Sequence, residues 1–160
     1  MPKPVRRLYW CSNVFLSYIN ELKDRVPDIE ALLASAKRGE IQIVTSVLSV
    51  AEVAFATSEQ DSKALDSDVG SRIQTLWVLG SPIQLVEFHL LIAEGAQALR
   101  RLGVPASWTG LRSVDAMHLA TAKHESVDGV HTYDEKLYRY APEIGCPIGP
   151  PIADEPLLGL

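Results

Sequence analysis

The amino-acid sequence predicts an α/β fold, with a central parallel sheet and helices on both of its faces. Short runs of β-branched and large apolar residues alternate along the chain with segments whose apolar residues recur at helical spacing. Such alternation is typical of parallel sheets, because parallel strands need long crossovers. The length of 160 residues suits one domain. We therefore predict a single domain over residues 1–160, with a core of about 6–148 and an irregular tail at 149–160.

The predicted strands are runs rich in β-branched and aromatic residues. They cover residues 8–11, 41–45, 83–86 and 127–131. After Cys146 the chain contains four prolines. Because proline removes a ladder hydrogen bond, we expect little regular structure there beyond one edge strand at 147–148.

Helices are predicted between these strands, and the clearest of them ends before Gly39. Pro27 suits its first turn, and Lys37 and Arg38 suit the negative end of its dipole. The predicted helices cover residues 14–19, 27–38, 49–56, 71–79, 88–102, 113–124 and 134–140. Residues 58–67 are predicted to be a loop or a frayed helix end, and residues 103–112 a loop.

Composition and charge narrow the class of protein. Apolar residues make up 47% of the chain and charged residues 22%, as in soluble globular proteins. The net charge of −5 argues against a protein that coats nucleic acid, so any RNA contact needs a local basic patch. Cys11 and Cys146 form neither a disulfide framework nor a zinc motif, which predicts a cytoplasmic protein. The sequence contains no apolar run of about 20 residues, so no membrane span is predicted.

Three acidic residues stand where a site is expected. In open parallel sheets, sites form beyond the carboxyl ends of the strands, here near residues 11–13, 46–52 and 132–134. Glu52 and Asp115 lie in mostly apolar stretches, and Asp134 closes the fourth strand. Each has a simpler explanation: a solvated helix residue for Glu52, a first-turn acid for Asp115 and an N-cap for Asp134. Together they predict a site for a hard cation such as Mg²⁺ or Mn²⁺.

Four strings resemble the PIN domain of VapC-type toxin ribonucleases, in the family's order and across almost the whole chain. They are YWCSNVFL at residues 9–16, SVAEV at 49–53, DAMHLATA at 115–122 and TYDEKL at 132–137. The third and fourth strings are fairly specific as a pair.

The resemblance implies a three-layer α/β/α sandwich and hydrolysis of RNA phosphodiesters with Mg²⁺ or Mn²⁺. Glu52, Asp115 and Asp134 match the metal-site carboxylates, and Ser12 and Asn13 match the polar pair that orders the site. The resemblance also implies a small antitoxin partner and a homodimer.

Cys11 departs from the family pattern, which has aspartate at this position. A thiol is mostly neutral at pH 7, and sulfur is a poor ligand for Mg²⁺. Three alternatives stay open: a weakened nuclease that uses the three remaining acids, a non-catalytic module that binds RNA or an antitoxin, or a thiolate that selects a softer ion such as Zn²⁺ or Mn²⁺. Cys11 also fits an ordinary buried thiol at a strand end.

Cationic and aromatic residues near the acids are candidate RNA contacts. Arg112 precedes Asp115, Lys136 follows Asp134, and Trp108 lies in a predicted loop. All three also fit solvated or packed surface residues. His118 shares a helix face with Asp115 and is either a packing residue or a neighbour of the site.

Overall fold

The computed structural model describes residues 3–153, in which five parallel strands form one sheet. The strands are β1 (Arg6–Trp10), β2 (Ile41–Ser46), β3 (Ile83–Val86), β4 (Gly129–His131) and β5 (Ile148–Gly149). Their order in the sheet is β3-β2-β1-β4-β5. The predicted α/β class with a parallel sheet is confirmed.

Helices cover the sheet on both sides. They are α1 (Ser12–Ile19), α2 (Val26–Lys37), α3 (Leu48–Glu52), α4 (Thr57–Ser62), α5 (Ser67–Trp77), α6 (Leu90–Gly103), α7 (Ser113–His124), a 3-10 helix (Glu135–Tyr140) and α8 (Ala141–Ile144). No helix between residues 3 and 153 has the length and apolar character needed to cross a membrane.

Alternating side chains of β1 separate the interior into two cores. Leu8 and Trp10 pack with residues of α1, α2 and α5, whereas Tyr9 and Cys11 pack with residues of α6, α7 and α8. Successive side chains of a strand point to opposite faces of the sheet, so β1 contributes to both cores. This division into helix, sheet and helix layers confirms the three-layer sandwich.

The segment between β2 and β3 differs from the prediction. The predicted helix 49–56 ends at Glu52, because Val53 leaves helical geometry. Residues 58–67, predicted to be a loop or a frayed helix end, contain most of the capped helix α4. Its Glu59 is buried and accepts hydrogen bonds from the backbone N–H groups of Ala56 at 3.0 Å and Asp66 at 2.8 Å. Asp66 then caps α5, which begins at residue 67 instead of 71. The polar composition of this segment reflects capping rather than a loop.

Two smaller differences concern β4 and the tail. β4 ends at His131, so Asp134 lies beyond the strand and not at its last position. β5 includes Gly149, and residues 150–153 form neither helix nor strand. Residues 154–160 of the predicted tail lie outside the described residues.

Candidate functional site

The candidate site lies at the carboxyl edge of the sheet, where β1, β2 and β4 end side by side. Cys11 follows β1 directly, and its backbone N–H donates a hydrogen bond to the carbonyl oxygen of His131 at 3.1 Å. Glu52 ends the short helix that follows β2. Asp115 lies in the first turn of α7, on the same side of the sheet as Cys11. The fold therefore brings together residues that are far apart in the sequence.

Cys11 is buried, with 4% of its surface exposed, and lies within electrostatic reach of all three acids. Burial raises the pKa of its thiol far above the ordinary value, although a hydrogen bond with Thr132 lowers it. The negative charges of Asp115, Glu52 and Asp134 raise this pKa further. Cys11 is thus a neutral thiol at neutral pH, and all three predicted acids act on it.

Glu52 is held by two side chains. Ser12 Oγ donates a hydrogen bond to Glu52 Oε2 at 3.1 Å, and Nε2 of His118 lies 2.5 Å from Glu52 Oε1. The Glu52 side chain is 29% exposed, so its carboxylate reaches solvent at the carboxyl edge of the sheet, although both oxygens have partners. The solvated-helix interpretation of Glu52 does not describe this arrangement.

Asp115 is paired with Arg112 from its own helix start. Nε and Nη2 of Arg112 donate to the two carboxylate oxygens of Asp115, at 2.9 and 3.2 Å. The hydrogen bond with Asp115 and the negative charge of Asp115 raise the pKa of Arg112, and the charges of Asp134 and Glu52 raise it further. The Arg112 side chain is 77% exposed and that of Asp115 only 14%, so the guanidinium covers the carboxylate from the solvent side.

Asp134 caps the 3-10 helix. Its Oδ1 accepts a hydrogen bond from the backbone N–H of Lys136 at 3.1 Å, and its own N–H donates to Thr132 Oγ1 at 3.2 Å. The N-cap interpretation therefore describes the local geometry, while the charge of Asp134 still acts on Cys11 and Arg112. The side chain of Lys136, a predicted RNA contact, is exposed beside it.

Asn13 ties the end of β1 to the segment after β4. Its Nδ2 donates to Thr132 Oγ1 at 2.8 Å, and its Oδ1 accepts from the backbone N–H of Tyr133 at 3.1 Å. With Ser12 on Glu52, the polar pair after β1 contacts both neighbouring strand ends. The site-ordering role expected for the pair stays a prediction.

The family model of the PIN domain matches residues 12–142. The chain belongs to the PIN domain family. The structure is similar to VapBC2 from Rickettsia felis, solved with a DNA fragment from the promoter, at a TM-score of 0.66 and 15% identity over 89% of this chain and 96% of that chain. It is also similar to FitAcB from Neisseria gonorrhoeae, at a TM-score of 0.61 and 16% identity over 90% of this chain and 97% of that chain. The curated proteins contain no match.

A divalent ion fits this PIN domain in ligand type. Three carboxylates act on the Cys11 position, and carboxylate oxygens are the ligands that Mg²⁺ and Mn²⁺ prefer. Within residues 3–153, however, no three His, Cys, Asp or Glu side chains lie close enough together to hold an ion. The donors are therefore suitable in kind but not assembled around one point, and Arg112 takes up both oxygens of Asp115.

Sequence reasoning left His118 undecided, placed Thr132 near the site without giving it a role, and did not single out Tyr9. His118 is 1% exposed, and its Nδ1 lies 2.6 Å from the hydroxyl of the fully buried Tyr9. Its spacing of three residues from Asp115 places it towards the site. No signal in the sequence connects His118 with Tyr9 or Glu52, which are 109 and 66 residues away.

Proposed function

We propose that this PIN domain is a divalent-metal-dependent endoribonuclease, and that it is the toxin of a toxin–antitoxin pair. The observation that carries the proposal is the convergence of charge from Glu52, Asp115 and Asp134 on Cys11. Carboxylates gathered at the carboxyl edge of a parallel sheet are suited to hold a hard cation against a phosphodiester.

Each side chain has a part in the proposed reaction. Glu52, Asp115 and Asp134 would hold Mg²⁺ or Mn²⁺. When bound, the ion supplies an activated water and stabilises charge on the scissile phosphate. Ser12 keeps Glu52 oriented through its hydrogen bond at 3.1 Å. Cys11 contributes no charge, so the site holds the ion weakly and cleavage is slow.

A groove next to the acids is the proposed path for RNA. It has a volume of about 790 Å³ and lies between α6, residues 104–111 and the start of α7. Among the described residues, its lining includes Arg100 and Arg101 and no acidic side chain. The guanidinium of Arg139 lies 5.5 Å from the ring centre of Trp108, which also lines the groove. In a protein with a net charge of −5, this local arginine cluster favours an anionic strand.

Partners and location are also part of the proposal. The similar structures are those of VapBC2 and FitAcB. By analogy of fold we propose that a small antitoxin covers the three acidic residues of the site. We also propose that the toxin is a homodimer and that it is cytoplasmic. The fold analogy is the support for these points.

The first test is RNA cleavage by the purified chain with Mg²⁺ and with Mn²⁺. We expect slow cleavage that Asp115→Asn lowers by about 100-fold or more, because a neutral amide no longer holds the cation. The Asp115 side chain is partly exposed, so Asp115→Asn should fold normally, and thermal unfolding checks this. Equal cleavage by both proteins would indicate a contaminating nuclease and would contradict the proposal.

The groove has its own prediction. We expect the double substitution Arg100→Gln, Arg101→Gln to weaken RNA binding about tenfold at low salt and to reduce the salt dependence of binding. The matched control is Lys37→Gln, Arg38→Gln at the end of α2, which packs on the other face of the sheet. Fluorescence anisotropy with a short single-stranded RNA measures both. If the two double variants weaken binding equally, the groove is not the RNA path.

A non-catalytic module that binds RNA or an antitoxin is the second candidate. The neutral Cys11 thiol and the pairing of Asp115 with Arg112 favour it, because both reduce the charge available to a cation. Binding of RNA without cleavage in any divalent metal would support this candidate.

A further inference from the structure

A line of polar groups runs from the main chain of β2 to Glu52 through the core. The backbone N–H of Ser46 donates to the hydroxyl of Tyr9 at 3.3 Å, and this hydroxyl lies 2.6 Å from Nδ1 of His118. Nε2 of His118 lies 2.5 Å from Oε1 of Glu52. Tyr9 and His118 are 0% and 1% exposed, so solvent does not compete for these bonds.

Both ring nitrogens of His118 have a partner in this line. Its Nδ1 faces the Tyr9 hydroxyl, whose oxygen also accepts the Ser46 N–H, and its Nε2 faces Glu52. The ring therefore cannot turn without losing a contact on each side.

We propose that His118 is a positioning residue that holds the Glu52 carboxylate in one orientation through Nε2, while Tyr9 fixes the imidazole ring through Nδ1. The inference rests on the proposed function only in treating Glu52 as a site carboxylate. With Oε1 bound to His118 and Oε2 bound to Ser12, rotation of the carboxylate breaks two hydrogen bonds. Glu52 is therefore preorganised by a buried support.

Helix α7 carries both His118 and a second site carboxylate, Asp115. Asp115 and His118 are three residues apart on α7, so both project from the same helix face. The Asp115 side chain is 14% exposed, whereas His118 is buried and contacts Glu52 of α3. The placement of α7 against β2 thus sets the positions of two acidic groups together.

Nitrogen-15 NMR of the metal-free protein tests the two contacts of His118 independently of nuclease activity. We expect the Nε2 signal of His118 to shift in Glu52→Gln and its Nδ1 signal to shift in Tyr9→Phe. No response of the His118 signals to Glu52→Gln would overturn the proposal.

Mn²⁺ affinity, followed by electron paramagnetic resonance, tests the positioning role. We expect His118→Leu to weaken binding by about 10- to 100-fold, the range typical for lost outer supports of metal ligands. His118→Gln keeps an N–H near the position of Nε2 and should restore most of the affinity. Equal affinity of His118→Leu and the native protein would overturn the positioning role. If the native chain binds no Mn²⁺, the proposed function fails, and the NMR result alone tests the contact between His118 and Glu52.

Discussion

Replacing Cys11 with aspartate is expected to raise metal-dependent RNA cleavage by about 100-fold or more, with each tenfold corresponding to about 1.4 kcal/mol. Cys11 is buried at the point where Glu52, Asp115 and Asp134 act together, and its thiol is neutral there. A carboxylate at this point adds a hard oxygen ligand and one negative charge. It also competes with Asp115 for Arg112, which favours an exchange of the guanidinium for a cation.

The neutral isostere Cys11→Asn is the matched control for Cys11→Asp. Asparagine has nearly the shape of aspartate without its charge, so any gain of cleavage by Cys11→Asp over Cys11→Asn reports the charge. If Cys11→Asn gains as much, the effect comes from shape. If neither variant cleaves RNA, the nuclease proposal fails, because Cys11→Asp then has four acids in place and is still inactive.

The same substitution has a consequence for stability. Without metal, Cys11→Asp adds an unpaired charge beside three carboxylates in a buried position, which should cost about 3 kcal/mol of the free energy of unfolding. Mn²⁺ should recover most of this loss, because an ion that binds only the folded chain stabilises it. Denaturant unfolding with and without Mn²⁺ measures both changes.

Lowering the pH from 7 to 4 is expected to destabilise the protein by about 3 kcal/mol through His131 alone. His131 is 7% exposed, and its Nδ1 accepts a hydrogen bond from Nε1 of the buried Trp10 at 3.0 Å. Burial, and then the charge of Arg6, lower the pKa of His131 from 6.5 to about 4. Protonation would remove the acceptor for Trp10 and place a charge in the core.

The sign follows from the two pKa values. The unfolded chain takes up this proton near pH 6.5, and the folded chain only near pH 4. The contribution of His131 is therefore complete above pH 6.5, decreases as the pH falls, and becomes constant below pH 4.

His131→Asn isolates this contribution from that of the carboxylates. The amide oxygen of asparagine lies near the position of Nδ1 and can accept the Trp10 N–H without titrating. Denaturant unfolding between pH 7 and 4 should show a smaller loss of stability in His131→Asn than in the native chain. Parallel curves for the two proteins would mean that His131 does not titrate in this range.

The sequence by itself determined the sheet and the neighbourhood of the site. Strand patterns at β1, β2 and β4 predict which residues lie at the carboxyl edge, since parallel strands end on the same side. Glu52 and Asp134 were therefore predictable near Cys11, whereas Asp115, which follows no strand, was singled out by its apolar helix and by the resemblance to the PIN domain. The pairing of Arg112 with Asp115 also follows from local spacing, because residues three apart on a helix turn are adjacent.

Only the tertiary structure decided how each acid is held and how the charges add. The contacts of His118 with Tyr9 and Glu52, and of Asn13 with Thr132, join residues more than 60 positions apart, and no local pattern encodes them. The neutrality of Cys11 is likewise a tertiary property. Its pKa depends on burial and on carboxylates brought in by three other elements, and both arise only when the helices pack onto the sheet.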